Sequence, residues 1–228
     1  MKTKLLKSLL AIVCLLCSIG VHAYDFQVDL IYYNIIGDGI VEVTYNGNSP
    51  TRYEEYYGPE EIPSFVNYDD GNYTKSYKVV RIGDSAFAGC NRLTSVELPV
   101  GVTSIGNSAF SGCSQLESID LSSVTTIGKS AFSGCSSLND VTLGNSLETI
   151  DERVFIGCGA LQKIVIPNKV KTIGKYAFEN CSSLIDITIG RGVTSIETAA
   201  FEKCSALASI VIPDNVTTLG NATFYECI

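Results

Sequence analysis

The sequence predicts a repeat solenoid, a fold in which short coils stack along one axis and bury their apolar side chains against each other. Cysteines recur every 22 or 23 residues, a phenylalanine lies three positions before each of them, and an isoleucine or leucine lies five positions before the phenylalanine. The cysteines are Cys90, Cys113, Cys135, Cys158, Cys181, Cys204 and Cys227. Because this spacing holds over seven copies, the period decides the architecture.

The repeating unit predicts how each coil is built. It reads L-x-x-[IV]-x-[LI]-x-x-x-V-x-x-I-x-x-x-A-F-x-x-C-x-x, as in residues 161–183, and its length lies within the range of leucine-rich repeats. The alternation in residues 164–166 predicts a strand, and copies from successive coils would pair as a parallel β-sheet. We expect a second short strand at residues 170–173. A single helical or 3₁₀ turn is expected at the Gly-x-x-Ala-Phe segment, residues 174–178.

The first residues predict export. Residues 1–23 combine a basic end, a short apolar run and a small-x-small cleavage site, as signal peptides do. A lipid anchor on Cys17 is the alternative, although Leu16 stands where lipoprotein signals carry Gly or Ala. The apolar run is too short to span a bilayer comfortably and no second one follows, so we expect a secreted or cell-surface protein without a transmembrane segment.

The two ends of the repeat region need separate explanations. Residues 24–78 lack the repeat and predict an N-terminal β-rich cap, with one β-hairpin around the turn at residues 37–39 and a second across residues 69–72. Between the hairpins, residues 62–66 resemble half a repeat. Residues 79–228 would form the leucine-rich repeats and leave the C-terminal end uncapped. We therefore expect a fragment of a longer protein or a partner at that end, including end-to-end association.

Charge and histidine content argue against several functions. Removing residues 1–23 takes three of the 16 basic residues and none of the 24 acidic ones, which leaves a net charge of −11. Such a chain would be repelled by nucleic acids and anionic lipids. The only histidine, His22, leaves with the same segment, so the sequence predicts no enzyme, no cofactor and no metal ion. A carboxylate pair of Asp120 and Asp140 on neighbouring strands is the one catalytic arrangement left to test.

The cysteines first suggest disulfides, because the chain is exported. However, equivalent side chains in a stack of coils point in the same direction, and seven thiols cannot all pair. We therefore predict reduced, buried thiols that donate weak hydrogen bonds to loop carbonyls of the adjacent coil. Disulfides and a metal-binding ladder are the alternatives.

The outward positions of the predicted strands form the candidate ligand-binding face. They are Ser95, Glu97, Ser118, Asp120, Asp140, Thr142, Lys163, Val165, Asp186 and Thr188, with Ser209 and Val211 continuing the series. One interpretation is a solvated sheet surface, and the other is a stripe of hydroxyls and carboxylates that binds a basic protein surface or a glycan. Ten of the twelve tyrosines precede residue 80, and we interpret them as cross-strand pairs of exposed hairpins, with a sugar-stacking platform as the alternative.

With its L-x-x-I-x-L-P…V-x-x-I-G-x-x-A-F-x-x-C unit, residues 79–228 resemble the BspA-like leucine-rich-repeat family, the type 5 repeats of bacterial and protist surface proteins. Residues 25–33 also resemble the start of such proteins in Bacteroidetes. The resemblance implies an adhesion module that binds a host matrix protein, a glycan or a microbial surface, with no shared catalytic residues. A structural spacer in a larger surface assembly is the alternative function.

Overall fold

The computed structural model describes residues 24–45 and 58–227, so the predicted signal peptide lies outside the described residues. Within these two ranges the chain forms strands and turns without a helix, and none of it could cross a membrane as an apolar helix. The strands stack as coils of a β-solenoid, which confirms the predicted architecture.

Six strands form the N-terminal part of the structure. They are β1 (Phe26–Val28), β2 (Ile31–Gly37), β3 (Ile40–Thr44), β4 (Gly58–Glu61), β5 (Phe65–Asp69) and β6 (Thr74–Ile82). The pair β2 and β3 forms the first predicted hairpin, and β5 pairs antiparallel with β6 to form the second. Asp69 and Asp70 accept hydrogen bonds from the backbone N–H groups of Gly71 and Asn72, as expected of a turn.

Strand β6 joins the hairpins to the coils. Its first residues pair antiparallel with β5, while its last residues pair parallel with β3. Tyr33 is 1% exposed and packs on Phe26, with ring centroids 5.4 Å apart. The interpretation of the tyrosines as cross-strand pairs of exposed hairpins is therefore wrong for Tyr33. This side of the hairpin is covered, because Phe26 packs on Tyr33 and also contacts Tyr68 and Tyr77.

Six coils follow, each counted from the leucine that begins the unit. We number them coil 1 (93–115), coil 2 (116–137), coil 3 (138–160), coil 4 (161–183), coil 5 (184–206) and coil 6 (207–227). Their first side carries β7 (Leu93–Glu97), β9 (Ser118–Leu121), β11 (Asp140–Leu143), β13 (Lys163–Val165) and β15 (Asp186–Thr188). Their second side carries β8 (Ser104–Ile105), β10 (Thr126–Ile127), β12 (Thr149–Ile150), β14 (Thr172–Ile173), β16 (Ser195–Ile196) and β17 (Thr218–Leu219). All strand pairs between coils are parallel, as predicted.

The strand ladders on these two sides are each interrupted once. On the first side, β4, β7, β9 and β11 form one sheet, whereas β13 and β15 form another. On the second side, β8 and β10 continue the sheet of β6, whereas β12, β14, β16 and β17 form a separate one. The second-side break follows coil 2, the one 22-residue coil. In coil 6, residues 209–211 form no strand, so Ser209 and Val211 do not extend the sheet as expected.

The third side of each coil corrects the prediction of helical or 3₁₀ turns. The third residue of each Gly-x-x-Ala-Phe-like segment is left-handed, as in Ser108 with φ 52° and Arg153 with φ 57°. A left-handed residue cannot continue a right-handed helix, so the turn ends after a single backbone hydrogen bond. Its N–H group points to the next coil instead, so Ser108 donates to the Lys129 carbonyl at 2.9 Å. Phe110 and Gly112 donate similarly to the following coil.

The core runs along the whole stack. The buried side chains of each coil lie against their equivalents in the next coil, and the phenylalanine rings are nearly parallel, with centroids 5.1 to 5.7 Å apart. Phe87, Phe110, Phe132, Phe155, Phe178 and Phe201 are all fully buried. Each coil thus depends on its neighbours for burial, and the outward positions of the strands are left facing solvent.

Candidate ligand-binding face

The register of the first-side strands arranges the candidate residues in two columns. Ser95 pairs with Ser118, and Ser118 with Asp140, in the first column of the N-terminal sheet. Asp120 pairs with Thr142 in the second column. In the C-terminal sheet, Lys163 pairs with Asp186 and Val165 with Thr188. We call these two rows of side chains the outward columns.

The exposure of the strand residues follows from their alternation. Ile119, Ile164 and Ile187 lie between the columns and are buried in the core. The outward residues are exposed, except for Ser95 and Ser118, which are half-buried. A pleated strand whose alternate residues enter the core holds the remaining side chains at fixed positions on one surface. The structure therefore presents the outward columns to solvent, whereas their role in binding stays a prediction.

The outward columns differ in chemistry between the two sheets. Coils 1 to 3 carry the carboxylates of Glu97, Asp120 and Asp140, and no ion pair within the described residues reaches any of them. In the C-terminal sheet, the Lys163 ammonium lies 4.0 Å from an Asp186 carboxylate oxygen, and Val165 is 64% exposed. One end of the face is thus acidic and the other is mixed, with an exposed aliphatic side chain.

The two acids considered for catalysis do not share a column. Asp140 pairs with Ser118, whereas Asp120 pairs with Thr142, so the carboxylates lie diagonally across β9 and β11. Asp120 also accepts a hydrogen bond from the Ser122 N–H at 2.8 Å. Among the described residues, no group of three His, Cys, Asp or Glu side chains is placed to hold a metal ion.

The thiols form the predicted ladder of hydrogen bonds. Cys113 donates to the Phe87 carbonyl at 3.0 Å, and Cys158 donates to the Phe132 carbonyl at 3.3 Å. Every cysteine of the repeat, from Cys90 to Cys227, is free of disulfides. Burial raises the pKa of the Cys135 and Cys204 thiols to about 12, because the thiolate would lose its hydration in the core.

Sequence reasoning missed two features of this architecture. The third hydrogen-bond ladder depends on left-handed residues of several types, such as Ser130, Tyr176 and Ala199, and no shared residue type marked the position. The breaks in the two strand ladders also carry no motif. The sequence does contain one irregularity nearby, the 22-residue spacing between Cys113 and Cys135, which precedes the break on the second side.

Comparison with known families and structures agrees with the geometry. A family model described as a BspA-type leucine-rich repeat region, in six copies, matches residues 64–158 and 115–228. No curated protein matches the chain.

Two solved structures are similar in sequence as well as in fold. A leucine-rich cell surface protein from Faecalibacterium prausnitzii shares 31% identity with a TM-score of 0.72, over 89% of this chain and 52% of that protein. A leucine-rich repeat protein from T. pallidum shares 31% identity with a TM-score of 0.71, over 86% of each chain. The chain thus spans about half of the F. prausnitzii protein. A Eubacterium ventriosum repeat protein, 23% identical with a TM-score of 0.68 over 86% of this chain and 50% of its own, shares the fold.

Proposed function

Because the chain belongs to the BspA-type leucine-rich-repeat family, we propose that it is an extracellular or cell-surface binding module that recognises a protein or a glycan through the outward columns. One observation carries the proposal. The carboxylates of Glu97, Asp120 and Asp140 stand exposed on a sheet of fixed register without counter-ions among the described residues. The surface location of the F. prausnitzii relative and the signal-like residues 1–23 support secretion or surface display.

The charge of the face favours a basic partner over a neutral one. Three carboxylates on adjacent strands, about 4.8 Å apart from strand to strand, create a negative field above coils 1 to 3. A basic protein surface would approach faster in this field and would be held in one orientation. Farther along the face, Val165 supplies apolar contact area next to the Lys163 and Asp186 pair. A host matrix protein or a microbial surface protein with a basic patch fits this arrangement, and a glycan would use the hydroxyls of the same columns.

A binding array tests the proposal. Residues 24–228 would be assayed against purified matrix proteins, glycans and intact bacterial surfaces. The test variant is Asp120→Lys/Asp140→Lys, which reverses two charges on the face. The matched control is Glu148→Lys/Asp214→Lys, which makes the same change in net charge at exposed positions away from the columns.

We expect saturable binding to at least one class of ligand. The face variant should weaken it by tenfold or more, about 1.4 kcal/mol, because repulsion replaces attraction. The control should bind within about twofold of the native chain, since charges away from an interface act mainly through screened, long-range fields. No saturable binding to any class would contradict the proposal and favour the spacer function. Equal loss in both double variants would show that net charge, not the outward columns, determines binding.

A further inference from the structure

A polar groove of about 330 Å³ lies away from the outward columns, where strands β12 and β14 end on the second side of the coils. Asp151, Gly174 and Glu197 line it, together with Thr149, Thr172 and Lys175. Glu152 and Lys129 complete the lining; Lys129 belongs to coil 2, and the other residues belong to coils 3, 4 and 5. The volume is at the lower end of the range for small-molecule sites, so the groove suits a small ligand.

The repeat pattern is broken on both sides of Gly174, one of the residues that line the groove. The position after the second-side isoleucine or leucine is glycine in most copies of the unit: Gly83, Gly106, Gly128, Gly174 and Gly220. A Cβ atom added to Gly174 would lie 2.7 Å from the Asp151 carbonyl carbon, and one added to Gly220 would lie 2.2 Å from the Thr198 nitrogen. Backbone packing between coils therefore disfavours any side chain at this position.

Asp151 and Glu197 nevertheless occupy that position in coils 3 and 5. They stand one coil before and one coil after Gly174, so their Cα atoms are on the order of 10 Å apart. Gly174 lines the groove between these two residues and adds no side chain to it. Departures from a local packing rule are expected where function requires them, and here both departures border the same groove.

The charges of the groove are unevenly compensated. Glu152 is already paired, with the Lys129 ammonium at 3.5 Å and with the Arg153 guanidinium. In contrast, the half-buried Glu197 carboxylate and the exposed Lys175 ammonium have no ion pair or side-chain hydrogen bond within residues 24–45 and 58–227. In the described part of the chain, the Asp151 carboxylate accepts a hydrogen bond only from the adjacent Glu152 N–H, at 2.7 Å. Two negative charges and one positive charge thus remain to be matched.

We propose that this groove binds a small basic zwitterion, chemically a free arginine or lysine. Its two cationic groups match Asp151 and Glu197, and its carboxylate matches Lys175. The hydroxyls of Thr149 and Thr172 accept hydrogen bonds from ligand N–H groups that do not bind the carboxylates. The site does not overlap the outward columns, so it stands or falls independently of the proposed adhesion function.

Amide chemical-shift titration of residues 24–228 tests the proposal with L-arginine and L-lysine. We expect saturable shifts around Gly174 with a dissociation constant on the order of 1 mM, since ion pairs at a partly open site contribute little each. L-Alanine lacks the second cation, and N-acetyl-arginine methylamide lacks the ammonium and the carboxylate, so both should bind at least about fivefold more weakly. Potassium chloride at equal ionic strength measures the effect of salt alone.

Variants locate the binding. Glu197→Gln and Asp151→Asn should each weaken arginine binding by about fivefold. Asp151→Asn keeps an oxygen to accept the Glu152 N–H, so the turn should be preserved. Asp120→Asn, an acid on the outward columns, is the matched control and should leave the affinity unchanged. The proposal is overturned by an absence of saturable shifts up to about ten times the expected constant, by equal binding of either analogue, or by unchanged affinity in both groove variants.

Discussion

Each inner phenylalanine of the stack makes ring contacts on both faces. Phe155 lies 5.5 Å from Phe132 and 5.4 Å from Phe178, measured between ring centroids, and is fully buried. We expect Phe155→Ala to lower the free energy of unfolding by about 3–5 kcal/mol, because it removes buried apolar area and leaves a cavity between two coils. Denaturant unfolding measures the loss. The control is Tyr73→Ala at a 69% exposed ring, which should change stability by less than about 0.5 kcal/mol. Equal effects at both positions would contradict the stacked core.

The buried thiols make stability depend on pH at the alkaline end. Burial raises the pKa of Cys135 and Cys204 to about 12, and Cys158 and Cys181 are shifted upward for the same reason. Below the unfolded pKa, near 8.5, both states hold their protons and the contribution to stability is complete. Above it the unfolded chain loses protons that the native chain keeps, so stability falls until the folded pKa is reached.

We therefore expect the free energy of unfolding to decrease from about pH 8.5 upward, by up to about 1.4 kcal/mol per pH unit for each buried thiol. Urea unfolding between pH 7 and 10 measures the slope. Cys158→Ser removes a titrating thiol while keeping a hydrogen-bond donor toward the Phe132 carbonyl. The stability of this variant should therefore decrease less steeply with pH, by up to about 1.4 kcal/mol per pH unit, the contribution of one thiol. A slope identical to that of the native chain would contradict this origin of the alkaline instability.

The third side of each coil depends on one residue with left-handed backbone conformation. Ser130 has φ 56°, a conformation that costs a non-glycine residue about 1–2 kcal/mol. We expect Ser130→Gly to leave stability unchanged or to raise it by up to about 1 kcal/mol, whereas Ser130→Val should lower it by about 2 kcal/mol or more. Thr142 on strand β11 is the control, since extended backbone disfavours glycine and accepts valine, so the order of the two variants should be reversed there. Thermal unfolding of the four variants measures these effects. If the glycine and valine variants ranked in the same order of stability at both positions, a strained turn at Ser130 would be ruled out.

The strands were predictable because their residues alternate between core and solvent. The pattern of Ile164, Val165 and Ile166 predicts a strand, which the structure places at Lys163–Val165, and the spacing of the unit puts it in register with β15. The outward columns followed from the same alternation. Burial of the cysteines was also predictable, since equivalent positions of a stack face the same environment.

The third side was not predictable in the same way. A Gly-x-x-Ala-Phe segment is compatible with a helical turn when it is considered alone, and the deciding bonds reach the next coil, as from Ser108 to Lys129. The groove was missed because Asp151 and Glu197 look like ordinary surface acids in the sequence. Only the close approach of backbones at Gly174 reveals that a side chain is disfavoured at their position.

Across the whole molecule, the three sides of the solenoid differ in continuity. The third side carries backbone hydrogen bonds between every pair of adjacent coils, beginning with those from residues 85–89 to coil 1. In contrast, the first-side ladder is broken between coils 3 and 4, and the second-side ladder is broken between coils 2 and 3. The break on the first side separates the outward residues of β11, among them Asp140, from Lys163 and Val165 on β13. In a stack where each coil contacts only its neighbours, fewer bonds at one junction make local opening easier there.

We therefore expect hydrogen exchange to be uneven along the first side but uniform along the third. The amides of Phe110, Phe132 and Phe178 should be protected to similar extents, because each donates to the next coil at 2.8 to 2.9 Å. The amides of β13 that face β11 should exchange about tenfold faster or more than their equivalents in β9, which face β7 across an intact ladder, since about 1.4 kcal/mol less is needed to open them. Equal protection on both strands would show that the first side acts as one continuous sheet. If the difference is found, the acidic and mixed parts of the outward columns can tilt relative to each other. A partner that contacts both parts should then reduce the exchange of β13 more than that of β9.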